Sequence, residues 1–369
     1  MPSSTSSSEL PTVPHKSYQR EVPAVRLGLA WLIALLLFAA GSMAWELHWR
    51  AFGGKPTYQN SNGLWARERR RIDNGEGNST VIIGSSRVLF DIQLPVWEKI
   101  LQERPIQLAL EGTSPLLFLE NLADDPKFTG RLIVGVTPVL FFSGFDRRVK
   151  ALKYFREETL SQRAGQWISM HLLEPFFAFY QEDFALMTVL QRQPWPSRAG
   201  VLNLRNVRKL SVSDADRNTH MWNKVENDPN YRQLARGIWT DILTLPPRPE
   251  PEKAEKLRQE QIDRAAIAVG KLRARGVEVV FVRPPSSDLW LEVEQRAFPR
   301  AQNWDVLLAR TGARGIYYED YAELRDFTLP EWSHLAKADA ERFTEALCRI
   351  LQREYGWSGK RLPNPESRK

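Results

Sequence analysis

The chain has 369 residues, a length that fits one large or two ordinary domains. Its 43% hydrophobic content and 13 tryptophans exclude general disorder, because that much apolar surface can be buried to offset the ordering entropy. The net charge of +7 favours anionic surroundings, but basic and acidic residues are interspersed. The patterning therefore argues against nucleic acid, and the cluster Arg67, Arg69, Arg70 and Arg71 reads as a solvated or lipid-facing patch.

In chain order, residues 1–24 are rich in Ser, Thr and Pro and read as a flexible tail. Residues 27–45 (LGLAWLIALLLFAAGSMAW) are uncharged and close to the roughly 20 residues that cross a bilayer as a helix, so an anchor is placed at 25–48. Trp31, Trp45 and Trp49 lie near its ends, where amphipathic rings suit the headgroup region. Lys16, Arg20 and Arg26 precede the run while Arg50 and Lys55 follow it, which leans toward a cytoplasmic N-terminus. Ser42-Met43-Ala44 also offers a signal-peptide cleavage reading, but the run is longer than the roughly 7 to 15 residues of a signal core. An uncleaved single-pass anchor is favoured, and both readings export the bulk of the chain.

Residues 49–78 read as a linker, polar from 53 to 63. Apolar β-rich runs then alternate with helical periods across 79–355. The predicted strands are 80–83, 106–110, 131–136, 277–282 and 315–318; the predicted helices are 94–103, 116–122, 252–275, 300–310 and 335–353. This repetition is the pattern of an α/β fold with a parallel sheet covered on both faces. Residues 142–251 break the rhythm, with His171, Phe176, Phe177, Phe179 and a polar stretch at 211–230. They read as an insertion between the third and fourth strands, a helical lid or interaction subdomain overhanging the crevice beyond the strand ends. Residues 356–369 read as a C-terminal tail. Cys348, the only cysteine, excludes an intrachain disulfide or a cysteine zinc site and reads as a small buried side chain.

Two blocks carry chemistry. Gly84-Ser85-Ser86 follows the first strand, where a hydroxyl is exposed at the functional edge of a parallel sheet. Taken alone such a triplet is most often a turn or a helix N-cap. Glu331-Trp332-Ser333-His334 precedes the last helix, and a carboxylate three residues before a histidine can orient an imidazole that accepts a serine proton. Taken alone this block also reads as a helix cap beside a packed histidine. No spacing of His, Asp and Glu makes a metal site, and no glycine-rich nucleotide loop is present, so no cofactor is expected.

Together with Gly112 at the second strand's end, the blocks resemble the SGNH (GDSL-type) hydrolase superfamily, and the resemblance implies a flavodoxin-like three-layer fold. By that resemblance Ser86 is the nucleophile, His334 the general base and Glu331 its orienting carboxylate. The amides of Ser86 and Gly112 form the oxyanion hole, and Ser85 replaces the family's aspartate. Residues alone leave Ser85 and Ser86 as alternatives. The family's oxyanion asparagine after the third strand is absent, since the chain reads Val136-Thr137-Pro138-Val139-Leu140. Arg87, Thr137, Trp332 and His220 are candidate substrate contacts, and Trp222, Trp239 and Trp290 join Trp332 as residues that could stack on sugar faces, although core packing also accounts for each.

Within the superfamily, the anchor, the GSS block and the long insertion are similar to exported accessory proteins of polysaccharide O-acetylation and of D-alanyl transfer to teichoic acid. That similarity implies a membrane-bound O-acyltransferase partner, a polysaccharide or glycan acceptor, and a bacterial inner membrane location with the soluble domain in the periplasm. The implied activity is acetyl-ester transfer or hydrolysis through an acyl-enzyme. The alternatives are a membrane-tethered scaffold whose oxyanion hole has decayed and a lipid-directed esterase.

Overall fold

A computed structural model describes residues 27–193, 195–196, 205–245 and 250–359. The strands are Thr80–Ile83 (β1), Ile106–Gln107 (β2), Arg131–Gly135 (β3), Ser211–Ser213 (β4), Thr219–Met221 (β5), Glu278–Arg283 (β6) and Arg314–Tyr317 (β7). Five of them pair in parallel in the order β2-β1-β3-β6-β7. Formal pairing of β2 stops three residues short of the predicted end. The amides of Leu108 and Leu110 nevertheless donate to the carbonyls of Ile82 and Gly84 (2.8 and 3.0 Å), which carries the chain toward Gly112.

Continuous apolar runs form these strands because both faces of the sheet are covered. Side chains alternate across a strand, so Val81, Ile83, Leu132, Val134, Val279 and Phe281 enter one core. Ile82, Ile133, Val280 and Val282 enter the other. The first core is closed by the helices Leu116–Ala123, Pro251–Ala274 and Trp304–Thr311. The second is closed by Leu94–Leu101 and Lys337–Tyr355. Counted within the sheet, the order is 2-1-3-4-5, and it reverses between β1 and β3. In doubly wound sheets the crevice at that reversal is where ligands bind.

The segment expected as a linker is not a spacer. Asn62–Arg71 is a helix capped by the Ser61 hydroxyl, and its Leu64, Trp65 and Ala66 are fully buried. Three of its four arginines meet carboxylates of the fold: Arg69 pairs with Asp125 (2.6 Å), Arg70 with Glu158 (2.5 Å), and Arg71 with Glu68 and Glu76. The solvated or lipid-facing patch expected at 67–71 is therefore corrected for Arg69 and Arg71, while Arg67 is exposed and Arg70 half-buried. The expected C-terminal tail also starts too early, because Trp357 is buried and donates from Nε1 to Glu278 (2.8 Å). The tail residues 1–24, the basic residues Lys16, Arg20 and Arg26, and residues 360–369 lie outside the described residues.

The interval 142–251 is not a purely helical lid. Ala151 and Leu152 join the first core, while Leu210, Met221, Trp222 and Tyr231 join the second. The polar stretch at 211–230 holds the antiparallel pair β4–β5, stitched to the sheet domain where Asn218 Oδ1 accepts from the Leu94 amide (2.9 Å). The chain divides at residue 49 into two units. On its own terms, the helix Leu27–Ala51 is long and apolar enough to cross a membrane.

Candidate active site

β1 ends at Ile83, and Ser86 is the first residue of the helix Ser86–Asp91. That helix starts close against the sheet because two glycines make room for Val88. A Cβ on Gly84 would lie 2.2 Å from Val88 Cγ2, and one on Gly135 would lie 2.4 Å from Val88 Cγ1. The Ser85 hydroxyl is buried and hydrogen-bonds that of Thr137 across β1 and β3 (2.5 Å). Ser86 is half-buried. The backbone thus separates the two serines that the triplet left as alternatives: one ties strands together, the other faces His334.

His334 Nε2 lies 2.7 Å from Ser86 Oγ, and its Nδ1 lies 2.8 Å from Glu331 Oε1. Glu331 is fully buried. Its Oε1 also accepts from the His334 amide (2.8 Å), and its Oε2 accepts from Trp239 Nε1. Three donors therefore satisfy this carboxylate where water cannot reach it. Phe90 stacks on the imidazole with ring centroids 4.3 Å apart, which fixes the remaining face of the ring.

The loop carrying these residues is strained and held from several sides. Trp332 has φ +74°, a left-handed conformation that is costly for a bulky residue. Its carbonyl accepts from the Ser287 amide (3.0 Å), the Pro330 carbonyl from Arg236 Nε (2.9 Å), and Asp91 Oδ1 accepts from the Leu335 amide (3.0 Å). Burial pushes the Asp91 carboxyl well above the usual carboxylate range, against the lowering effect of the Leu335 amide and Arg87. Below the loop, Glu294 pairs with Arg87 (2.8 Å) and Arg283 (2.6 Å) and accepts from Ser286. Burial alone would raise the Glu294 carboxyl, but the two guanidinium groups outweigh it and hold it below its ordinary value.

The structure brings Ser86, His334 and Glu331 into one hydrogen-bonded line. Gly112 has φ +59° with open space where a Cβ would stand, two residues beyond Leu110. The candidate substrate contacts fare differently. Arg87 is buried in the Glu294 pair and reaches Ser333 Oγ (3.3 Å), so it supports the loop from beneath. The Thr137 hydroxyl is committed to Ser85. His220 lies on β5 with Nδ1 against the Met221 carbonyl (2.8 Å). Trp332 is half-buried, with the Arg236 guanidinium 5.3 Å over its ring.

Trp239 is the residue whose part sequence reasoning missed: its indole donor is spent on Glu331 and its ring packs edge-on against Trp290 (5.5 Å). Arg236, three residues earlier on the helix Pro229–Leu243, shares its face and reaches the same loop. That i, i+3 pair is the only local signal, and it does not name its target. Chemically, a histidine bonded to both a serine and a carboxylate can accept the serine proton while the carboxylate holds the tautomer. No protein-family description matches the chain, and no curated protein matches it.

Proposed function

We propose that the chain is an SGNH-type serine acyl-transfer enzyme, acting through an acyl-enzyme on an ester of an extracytoplasmic polysaccharide or envelope glycan. The hydrogen-bonded line Ser86–His334–Glu331 carries this reading, because its two distances of 2.7 and 2.8 Å join a hydroxyl, a base and an orienting carboxylate. The 2-1-3-4-5 strand order, with Ser86 after β1 at the reversal, supports the flavodoxin-like, SGNH part of it.

His334 Nε2 takes the Ser86 proton as Oγ attacks the ester carbonyl, and Glu331 stabilises the resulting imidazolium. The amides of Ser86 and Gly112 receive the developing oxyanion. Collapse expels the alcohol, which takes the proton back from His334, and leaves an acyl group on Ser86. A second hydroxyl then repeats the sequence in reverse: a sugar hydroxyl completes transfer, water completes hydrolysis. An acetyl group is the proposed cargo, handed over by a membrane-bound O-acyltransferase. The helix Leu27–Ala51 would hold the chain in a bacterial inner membrane with residues 49 onward on the periplasmic side.

A scaffold role is favoured by one observation: no asparagine follows β3, and the Thr137 hydroxyl that stands there is bound to Ser85. Losing one oxyanion donor costs about 3 kcal/mol of barrier, so turnover is expected to be slow but measurable. The test is acetyl-ester turnover by the detergent-solubilised full chain. The enzyme reading expects activity that Ser86→Ala and His334→Ala abolish and Ser85→Ala retains. A folded wild type without turnover supports the scaffold.

A further inference from the structure

Between residues 160 and 196 the chain exposes apolar side chains that a monomeric domain normally covers. Trp167, Leu172, Phe176, Leu186 and Met187 are 54–65% exposed. Among the described residues of this stretch Glu182 is the only exposed acid; Glu174 is buried and Asp183 is paired with Arg192 (2.6 Å).

The same stretch is fixed to the chain where it leaves the apolar helix. Phe184 is buried under Trp49, their rings stacked at 4.4 Å, with Phe52 edge-on to Phe184 at 6.4 Å. Arg50 donates to the Phe176 carbonyl (2.9 Å). The uncharged run ends at Trp45, and Trp49 is still helical. Four residues at about 1.5 Å each advance about 6 Å, which keeps Trp49 within headgroup depth if the run fills the hydrocarbon core. Phe184 and the Phe176 carbonyl are bound to Trp49 and Arg50, the residues that follow the apolar run in the chain.

The charge next to this face has the matching sign. A cavity of about 410 Å³ is lined by Arg67, Arg70 and Arg163 together with Trp167 and His171. Among the described residues Glu158 is the only carboxylate lining it, and it pairs with Arg70 (2.5 Å) and Arg163 (2.8 Å). Among the described residues, Arg67 donates to the Met170 sulfur (3.6 Å) and the Ala215 carbonyl (3.3 Å) and to no carboxylate. Three guanidinium groups against one carboxylate, with an exposed indole beside them, suit phosphate headgroups of anionic lipid.

We infer that this face rests on the bilayer, its aromatic and aliphatic side chains in the interfacial layer and the arginine cavity against anionic phospholipid headgroups. The inference rests on the membrane-span reading of Leu27–Ala51. It gives the soluble domain a second membrane contact, so the domain is held against the surface and not left to swing on one helix.

The test uses the full chain in nanodiscs of equimolar phosphatidylcholine and phosphatidylglycerol carrying a doxyl-lipid quencher. Cys348 is fully buried, so the wild type serves as the labelling blank. Single cysteines bearing an environment-sensitive fluorophore replace Phe176→Cys and Leu186→Cys. Phe38→Cys, 72% exposed on the apolar helix, reports the span, and Ile267→Cys, 64% exposed on Pro251–Ala274, reports a surface away from it. Labels at 176 and 186 are expected to be quenched roughly twofold or more beyond that at 267. Quenching at 38 with none at 176 and 186 overturns the inference while sparing the span. No quenching at 38 removes the span and the inference with it. Labels at 176 and 186 shielded from an aqueous quencher but untouched by doxyl lipid would assign the face to a protein and also overturn it.

Discussion

Across residues 83–91 Ser86 is held by contacts close at hand: the end of β1, the glycines that admit Val88, and the Ser85–Thr137 bond to the neighbouring strand. Across residues 329–335 the loop that carries His334 is held largely by distant partners, among them Trp239, Asp91 and Arg87, 92 to 246 positions away. Ser86 inherits its place from the sheet, whereas His334 owes its place to buried polar contacts. Damage to the second arm should therefore be graded, and should appear in turnover while the sheet persists.

The largest expected effect comes from Glu331→Gln, which keeps the shape of the second arm but removes the charge that holds the imidazole tautomer. Turnover should fall about 10³- to 10⁴-fold with far-ultraviolet circular dichroism unchanged. An effect under tenfold would mean that position 331 does not orient His334. Next, Glu294→Gln leaves Arg87 and Arg283 buried without a counter-charge and should cost about 3–5 kcal/mol in urea unfolding. Its sign with pH follows from the depressed carboxyl: the wild-type contribution is complete above the ordinary carboxylate range and is lost as pH falls through the native value. The variant should show no such acid loss.

Trp239→Phe keeps the ring but orphans Glu331 Oε2, for an expected loss of about 1–3 kcal/mol in stability. Turnover should drop while Ser85→Ala, on the first arm, leaves the pH profile of turnover where it was. Identical profiles for both variants would erase the distinction between the arms. The smallest effect is expected from Asp91→Asn, which preserves the acceptor for the Leu335 amide and should stay within about 1 kcal/mol of wild type. Because burial raises the Asp91 carboxyl, its contribution is complete below the ordinary carboxylate value and is lost as pH rises through the native one. The asparagine variant should therefore gain on the wild type as pH rises, read from paired denaturation curves.

The parallel sheet was legible because strands buried on both faces must be continuously apolar, and the helices between them keep a helical period. Ser86, Glu331 and His334 were legible because each block is local: a strand end and a four-residue loop. Asn62–Arg71 was hidden because its arginines mask three buried side chains, and only Asp125, Glu158 and nearby glutamates reveal how that charge is accommodated. Arg87 reads as a candidate substrate contact until Glu294, 207 positions on, is seen beside it. Trp239 was noticed as a tryptophan, but nothing in its neighbourhood announces that its donor belongs to Glu331. Polar contacts of long sequence separation leave no periodic trace, and the second arm is made of them.

The most direct test of the central claim is reaction of the full chain with a fluorophosphonate ester, the adduct located by peptide mass spectrometry. An adduct on Ser86, formed at least about 10³-fold more slowly in His334→Ala, is the predicted result. A folded chain that forms no adduct on Ser86, or forms it equally fast without His334, would contradict the account.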